Sequence, residues 1–583
     1  MKTYISVLAA LMGLAAATSL SSCGDRFQEE YPWLTGSQAD QSNDDEEGLG
    51  ATDVSVLEKE LKGAIPFMLN YTHEPTGTFA PHKYQYQRAN NIDNYAGYWT
   101  VSKGTFTFGG PLPTLYYPDN DYLSGPLDNQ LFQQSKDAIF YAESLGKPAW
   151  RAIALIIQGY LGHELVDFYG ALPFTDWRNN NRVPPLTYEP GADVYNQIFQ
   201  DLDEAIQILK ETQPSRDELA LVEDLEQKTI SQGDWTRWVK FANSLKLRMA
   251  MNIVNVDAGR SQTIAEEAVN DPIGVLKEGD LDIAYYYLPD GMGNCLYQIS
   301  VGWNDLRLGA SLENILKHFN HPGLNVWFDG YQYPISEKNS GITADKGIYG
   351  VRQGIAMSNT TDTKSGYGPF GIVNENAKRM SQPFLKVTEV LMLQAEGALR
   401  SWNMGGTAQD FYERAIRLSF QENSQFGDMG SVDAYLAQDA LPVVDYVDPY
   451  NWDNNIDGRV SIGVKWNDAD DRETKLEKII TQKYLACYPL SAEAWTTFRR
   501  TSYPRLFPVV LNPMYPDVDY ELQIRRMPLK ETTNNALEMA SLTAALGGPQ
   551  NGGTRVFWDN SDTWTRGEAT DNPSLRVIKP NNF

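Results

Sequence analysis

Apolar residues recur at helical spacing most clearly between Trp150 and Phe174, where Ala152, Leu155, Ile156, Gly159, Tyr160, His163 and Val166 follow the three-and-four step of an α-helix. Gly170 and the nearby Pro173 predict where it stops. A helix from about Pro126 to Leu145 leads into it, and after the loop Asn179 to Tyr188 another carries Tyr195, Ile198, Leu202, Ala205 and Leu209 on one stripe. Trp238, Ala242, Leu245, Met249 and Ile253 mark a further helix within Trp235 to Val254, followed by a weaker one at Ile264 to Val269. Leu385 to Arg400 and Gln409 to Gln421 form a pair across the Gly405-Gly406 turn, and helical texture also covers Val54 to Tyr71 and Thr474 to Phe498.

Small residues such as Ala395, Gly397 and Ala398 at the contact face let paired helices approach closely. This predicts a mainly α fold built on degenerate tetratricopeptide-like helix pairs, although no strict period of about 34 residues survives. The helical scaffold is expected over residues 51–72, 126–270, 385–422 and 474–500 of a single domain spanning 51–583. Three regions lack a sustained period: 73–125, 281–384 and 428–470. They are rich in Gly, Pro, Asn and aromatic residues, among them Tyr98, Trp99, Trp303, Trp327, Tyr450 and Trp452. Stretches of that length are too long for plain connections and predict an irregular, loop-rich ligand-binding half.

Lys2 followed by an apolar run from Ile5 to Leu20 reads as a signal peptide over residues 1–22, too short for a stable membrane span. The run ends in Leu20-Ser21-Ser22-Cys23, which resembles a bacterial lipobox; Cys23 would be acylated and would anchor the mature chain by its lipid. Residues 23–50 are polar and acidic, with Asp44 to Glu47 as an unbroken acidic run, and predict a flexible tether whose random-coil reach is on the order of 20 Å. Among 583 residues, 49 basic against 75 acidic side chains leave a net charge of -26, which disfavours nucleic acid as a partner. Cys295 and Cys487, lacking any C-x-x-C spacing, read as buried thiols. Fourteen Trp and 32 Tyr exceed what a core usually needs, and surplus rings suit stacking on sugars or clamping peptides.

One helix also carries candidate chemistry. His163, Glu164 and Asp167 form His-Glu-x-x-Asp, one substitution from the His-Glu-x-x-His helix of zinc peptidases. A zinc site needs a third ligand, however, and none of His73, His82, His318 or His321 forms a helical pair with His163, so a scaffold helix is the better reading. A surface glycoside hydrolase is the stronger enzymatic rival, since 75 acidic residues make some close carboxylate pair inevitable. A ligand-free outer-membrane assembly scaffold is the third possibility.

Four features in order along the chain resemble the SusD/RagB family, in its nutrient-binding lipoprotein branch. They are Cys23 in its lipobox, the helix end Asp167-Phe168-Tyr169-Gly170-Ala171-Leu172-Pro173-Phe174, the stretch Ala494-Trp495 to Arg499-Arg500-Thr501-Ser502-Tyr503-Pro504, and Arg525-Arg526-Met527-Pro528. Ser22 stands where that family more often has Gly or Ala, and Ser502 where Gly is usual. The resemblance implies a non-catalytic outer-membrane lipoprotein; no cofactor and no metal site is expected from the sequence. It would capture oligosaccharide or peptide at the cell surface and hand it to a SusC-like TonB-dependent barrel. Family ligand contacts come from the first two irregular regions. By position, Arg88, Asn91, Tyr98 and Trp99, with Trp303 and Trp327, are the candidate contacts.

Overall fold

Twelve longer helices carry the architecture of the computed structural model, which describes residues 54–67, 72–73, 78–79, 81–104, 130–179, 185–225, 230–285, 293–330, 335–336, 343–344, 347–355, 357, 366–529, 535–560, 564–565 and 578–583. The expected signal peptide, Cys23 and the acidic tether lie outside these residues. In chain order the helices are α1 (Val54–Phe67), α2 (Gln130–Ser144), α3 (Pro148–Tyr169), α4 (Gly191–Thr212), α5 (Thr236–Asn252) and α6 (Ala258–Asn270). They continue as α7 (Ala310–His318), α8 (Val387–Leu399), α9 (Ala408–Asn423), α10 (Arg472–Ala486), α11 (Ser491–Thr501) and α12 (Ala536–Leu546).

Helices adjacent in sequence pack as pairs: α2 on α3, α3 on α4, α5 on α6, and α8 on α9. Helix α3 is flanked by α2, α4 and α5, and accordingly nearly every residue from Trp150 to Tyr169 is buried. Its outward neighbour α4 is amphipathic instead, burying Val194, Tyr195, Ile198, Leu202, Ala205 and Leu209. Gly159 and Gly162 face Ile198 and Leu202 so closely that a methyl at Gly162 would sit 3.0 Å from the Ile198 Cδ1. Small residues at this seam thus set the distance between the two helices. Thr407 caps α9 by accepting from the Asp410 N–H at 3.1 Å, directly after the Gly405-Gly406 turn.

Several elements differ from the sequence reading. The helical section Thr474 to Phe498 is two helices, α10 and α11, because Pro489 supplies no N–H to continue the first. The region 281–384 is not wholly irregular: it contains α7, nine residues long, whose Leu312, Ile315 and Leu316 are buried. Helix α12 and a short helix, Arg216–Val222, were not anticipated; the latter is announced by a full Ser215/Glu218 capping box.

Strands are short and occur as two-stranded antiparallel pairs. They include β1 (Trp99–Val101) on β3 (Leu306–Leu308), and β2 (Ile283–Tyr285) on β4 (Gln382–Leu385).

The three family-like segments within the described residues meet in one buried junction. Helix α3 ends at Gly170, whose φ of 82° is left-handed, and a Cβ there would lie 2.6 Å from Leu546. The Arg499 guanidinium donates to the carbonyls of Asp167 at 2.5 Å and Arg525 at 2.9 Å, and sits over Trp495 and Trp558 at 3.6 and 4.9 Å. Arg525 makes a bidentate pair with Asp559 at 2.7 and 2.8 Å, Arg526 donates to the Tyr169 carbonyl, and the Met527 N–H donates to that of Phe168. Arg500 completes the set with a bidentate pair to Glu396, both 1% exposed, and Glu396 also holds Arg400. Burial opposes ionisation of Glu396, but Arg500 and Arg400 outweigh it and hold its carboxyl down at about 2.

Ser502 ends α11 at φ 61°, buried, with its hydroxyl unbonded. A left-handed non-glycine and an orphan hydroxyl each cost on the order of 1 kcal/mol, against about 0.5–1 kcal/mol for the chain freedom of glycine. Ser502→Gly should therefore raise unfolding free energy by roughly 1 kcal/mol, read by denaturant titration; an equal loss would show that the hydroxyl is bonded.

Candidate ligand-binding face

Pairing of β1 with β3, Trp99 opposite Leu308 and Val101 opposite Leu306, brings the first irregular region against the second. The chain just outside this pairing forms a clamped rim. Lys103, 3% exposed, makes an ion pair with Asp305 at 2.8 Å and donates to the Trp303 carbonyl at 3.2 Å. Gln85 donates to the same Asp305 carboxylate, and the Ser102 hydroxyl to the Asn304 carbonyl. Arg307 donates to the Asn304 side chain and, through two nitrogens, to the Gly368 carbonyl at 2.7 and 2.9 Å, joining the rim to the turn at 366–371. Trp303 is carried on this fixed backbone with its side chain half-buried.

Of the six candidate contacts, Trp303 alone lies at this rim. Trp99 is fully buried, its ring edge-on to Phe328 at 5.4 Å. Trp327, 1% exposed, stacks on Tyr488 at 4.8 Å and donates its indole N–H to Asn423. Tyr98 is buried with its hydroxyl on the Tyr484 carbonyl at 2.6 Å. Asn91 is buried and donates to the Tyr86 carbonyl. Arg88 pairs with Glu164 at 2.7 Å, its side chain 11% exposed. Tyr98, Trp99, Asn91 and Trp327 thus present no face to a ligand in this conformation, and Arg88 is spent on Glu164. The reason is physical: where no helix supplies a regular apolar stripe, large rings fill the interior. Lys103 and Arg307, which fix the rim, were missed, since isolated cations in an aperiodic stretch carry no pattern.

The His-Glu-x-x-Asp residues have separate internal partners. The His163 Nδ1 faces the Tyr160 carbonyl at 2.5 Å; Glu164 accepts from Arg88 and from the Tyr160 hydroxyl. Asp167 accepts from the Tyr195 hydroxyl at 2.5 Å, the Trp558 indole at 2.7 Å and Asn252 at 3.3 Å. Among the described residues no group of three or more His, Cys, Asp or Glu is placed to hold a metal ion. Cys295 and Cys487 are buried free thiols, both pushed up by burial.

This chain belongs to the SusD-like family: the family model described as Susd and RagB outer membrane lipoprotein matches residues 41–559. Among solved structures it is similar to a chitin-binding SusD homolog from Flavobacterium johnsoniae, at 29% identity and a TM-score of 0.71, over 87% of this chain and 99% of that one. A SusD homolog from Bacteroides uniformis matches at 27% identity and a TM-score of 0.72, over 87% and 99% of the two chains. A third, from Bacteroides thetaiotaomicron, matches at 28% identity and 0.71, over 86% and 98%. No curated protein sequence matches. The fold is the mainly helical, tetratricopeptide-like one expected. No helix among the described residues is long and apolar enough to cross a membrane.

Two measurements check this placement. Trp327→Ala should cost about 3–5 kcal/mol of unfolding free energy, as removal of a buried ring does; a change below 1 kcal/mol would return Trp327 to the ligand face. Burial, reinforced by Arg248, holds the His163 imidazole down to about 4, whereas burial raises Asp167 to about 7. A base depressed in the fold stays neutral there, so its stabilisation is present above the unfolded value of about 6.5 and is lost as pH falls toward 4. Asp167, raised, changes stability in the opposite sense. Comparison with His163→Gln isolates the histidine: between pH 7 and 5 the native chain should lose about 2 kcal/mol relative to that variant.

Proposed function

We propose that this protein is a non-catalytic nutrient-binding lipoprotein, anchored through Cys23 and exposed at the cell surface. Residues 23–50 act as its tether. It captures oligosaccharide and delivers it to a SusC-like TonB-dependent outer-membrane barrel. The observation that carries the reading is the match, over 87% of the chain, to a chitin-binding homolog of the same family.

Two features of the described residues support it. A half-buried indole on a clamped loop is suited to the apolar face of a sugar, and the adjoining rim groups can meet hydroxyls. The buried carboxylates Glu164, Glu389, Glu396 and Asp559 are each locked to an arginine, which leaves them poorly placed for acid-base work. Peptide cargo remains the other ligand class such a face accommodates. Affinity is expected to be modest, because tight binding would slow release to the transporter.

Purified protein beginning after Cys23 should bind members of a glycan panel, chito-oligosaccharides included, without releasing products. Trp303→Ala should weaken that binding about three- to tenfold while the variant stays folded by circular dichroism. Product release would establish a hydrolase instead. Binding confined to peptides would reassign the cargo, and barrel association without any small ligand would identify an assembly scaffold.

A further inference from the structure

Among the described residues whose exposure is given, Trp452 is the one exposed tryptophan, at 59%. Among those residues its indole has neither a ring partner nor a side-chain hydrogen bond. Leaving so large an apolar ring in water is unfavourable, and a loose loop would let it fold back onto the surface. This loop is not loose. Tyr446 and Ile456 exchange backbone hydrogen bonds at 2.9 and 3.1 Å and close the segment 446–456.

Its interior is organised by one carboxylate. Asp448, 0% exposed, accepts from the N–H groups of Tyr450 and Asn451 at 2.9 and 3.0 Å, from the Asn454 amide at 2.8 Å and from the Tyr367 hydroxyl at 2.9 Å. Asn455 accepts from the Asp448 N–H, and Arg352 donates to the Asn454 carbonyl at 3.1 Å. These bonds fix the centre of the loop, and the Trp452 carbonyl joins them by accepting from the Asn455 N–H at 3.0 Å, while its indole stands outside the hydrogen-bonded frame.

We propose that the 446–456 loop is a second, preorganised contact for carbohydrate, with Trp452 stacking on a sugar ring. This rests on the carbohydrate-capture reading above. Following Trp452 along the chain, Asp453, Asn455 and Asp457 are exposed, groups that accept from or donate to hydroxyls. Charged residues of this kind are depleted from the cores of protein–protein interfaces, which favours a sugar over a protein as the occupant. Two exposed carboxylates within five residues of Trp452 also bear on specificity: neutral or amino sugars are admitted, whereas uronic acid or sulfated glycans meet like charge. The loop is joined to the Trp303 rim by Arg307 on Gly368, and by the neighbouring Tyr367 on Asp448. Rigidity of the loop limits the ordering lost on binding.

The test uses the full chain purified in detergent and calorimetric titration with chitohexaose and with a neutral and an acidic glycan panel. Because the Trp452 indole is exposed and makes no hydrogen bond among the described residues, and its backbone bond survives substitution, Trp452→Ala should keep the native thermal midpoint. It should bind the preferred neutral oligosaccharide about three- to tenfold more weakly, Trp452→Phe should recover most of the loss, and acidic glycans should bind neither form. Native affinity in Trp452→Ala would overturn the platform alone. So would weakened association with the outer-membrane barrel at unchanged glycan affinity, which would make the indole a protein contact. Failure of the native chain to bind any glycan would overturn the carbohydrate reading and the platform with it.

Discussion

Everything else in the scaffold hangs on where one guanidinium is placed. Arg499 reaches from α11 to the end of α3 and to the chain near Arg525, donating to two carbonyls while two indoles cover its faces. Carbonyls at a helix end have no intrahelical partner, so an unpaired α3 terminus here would be costly. A cation that meets both needs ties three remote stretches of chain into one junction. Burial and the nearby Arg525 lower its affinity for the proton to about 9, partly offset by Asp167 and Asp559, so the charge persists at neutral pH.

The same economy of buried charge explains why the chain looks richer in chemistry than it is. Arg248 grips Glu389 at 2.7 Å and approaches Glu493, which in turn holds Lys483 at 2.5 Å. Such groups between helices are dear to desolvate and are tolerable only when fully paired, so they specify a single arrangement of the pairs more than they add stability. His163 sits among them as a neutral spacer between the Tyr160 carbonyl and Arg248. An acid, a histidine and a helix are then architecture.

How much could be read from the chain follows from what periodicity measures. The pairs α3/α4 and α8/α9 were legible because one face of each helix is apolar at a fixed step, and the end of α3 because Gly170 has a conformational reason to be there. Helix α7 was not, since nine residues between aromatic loops barely establish a period. For the candidate site, composition pointed to regions rather than to side chains: five of the six named residues are packed or paired inside the fold, which no periodicity announces. Trp99 and Trp327 carry the same letter as Trp452, and only the packing of Phe328 and Tyr488 against the first two distinguishes a buried ring from an exposed one. Asp448, whose role is to hold a loop in shape, lies in an Asp- and Asn-rich stretch with no local signature of that role.

The β1–β3 pairing also has a meaning in time. Helix hairpins close over short separations, whereas Trp99 must find Leu308 across about two hundred intervening residues that include five of the twelve longer helices. Loop closure over such a span is slow relative to helix pairing, so helical content should be nearly complete while the rim is still open. A newly made chain would pass through a state that has its helices but not yet this pairing, and the rim would be the last part of it to form.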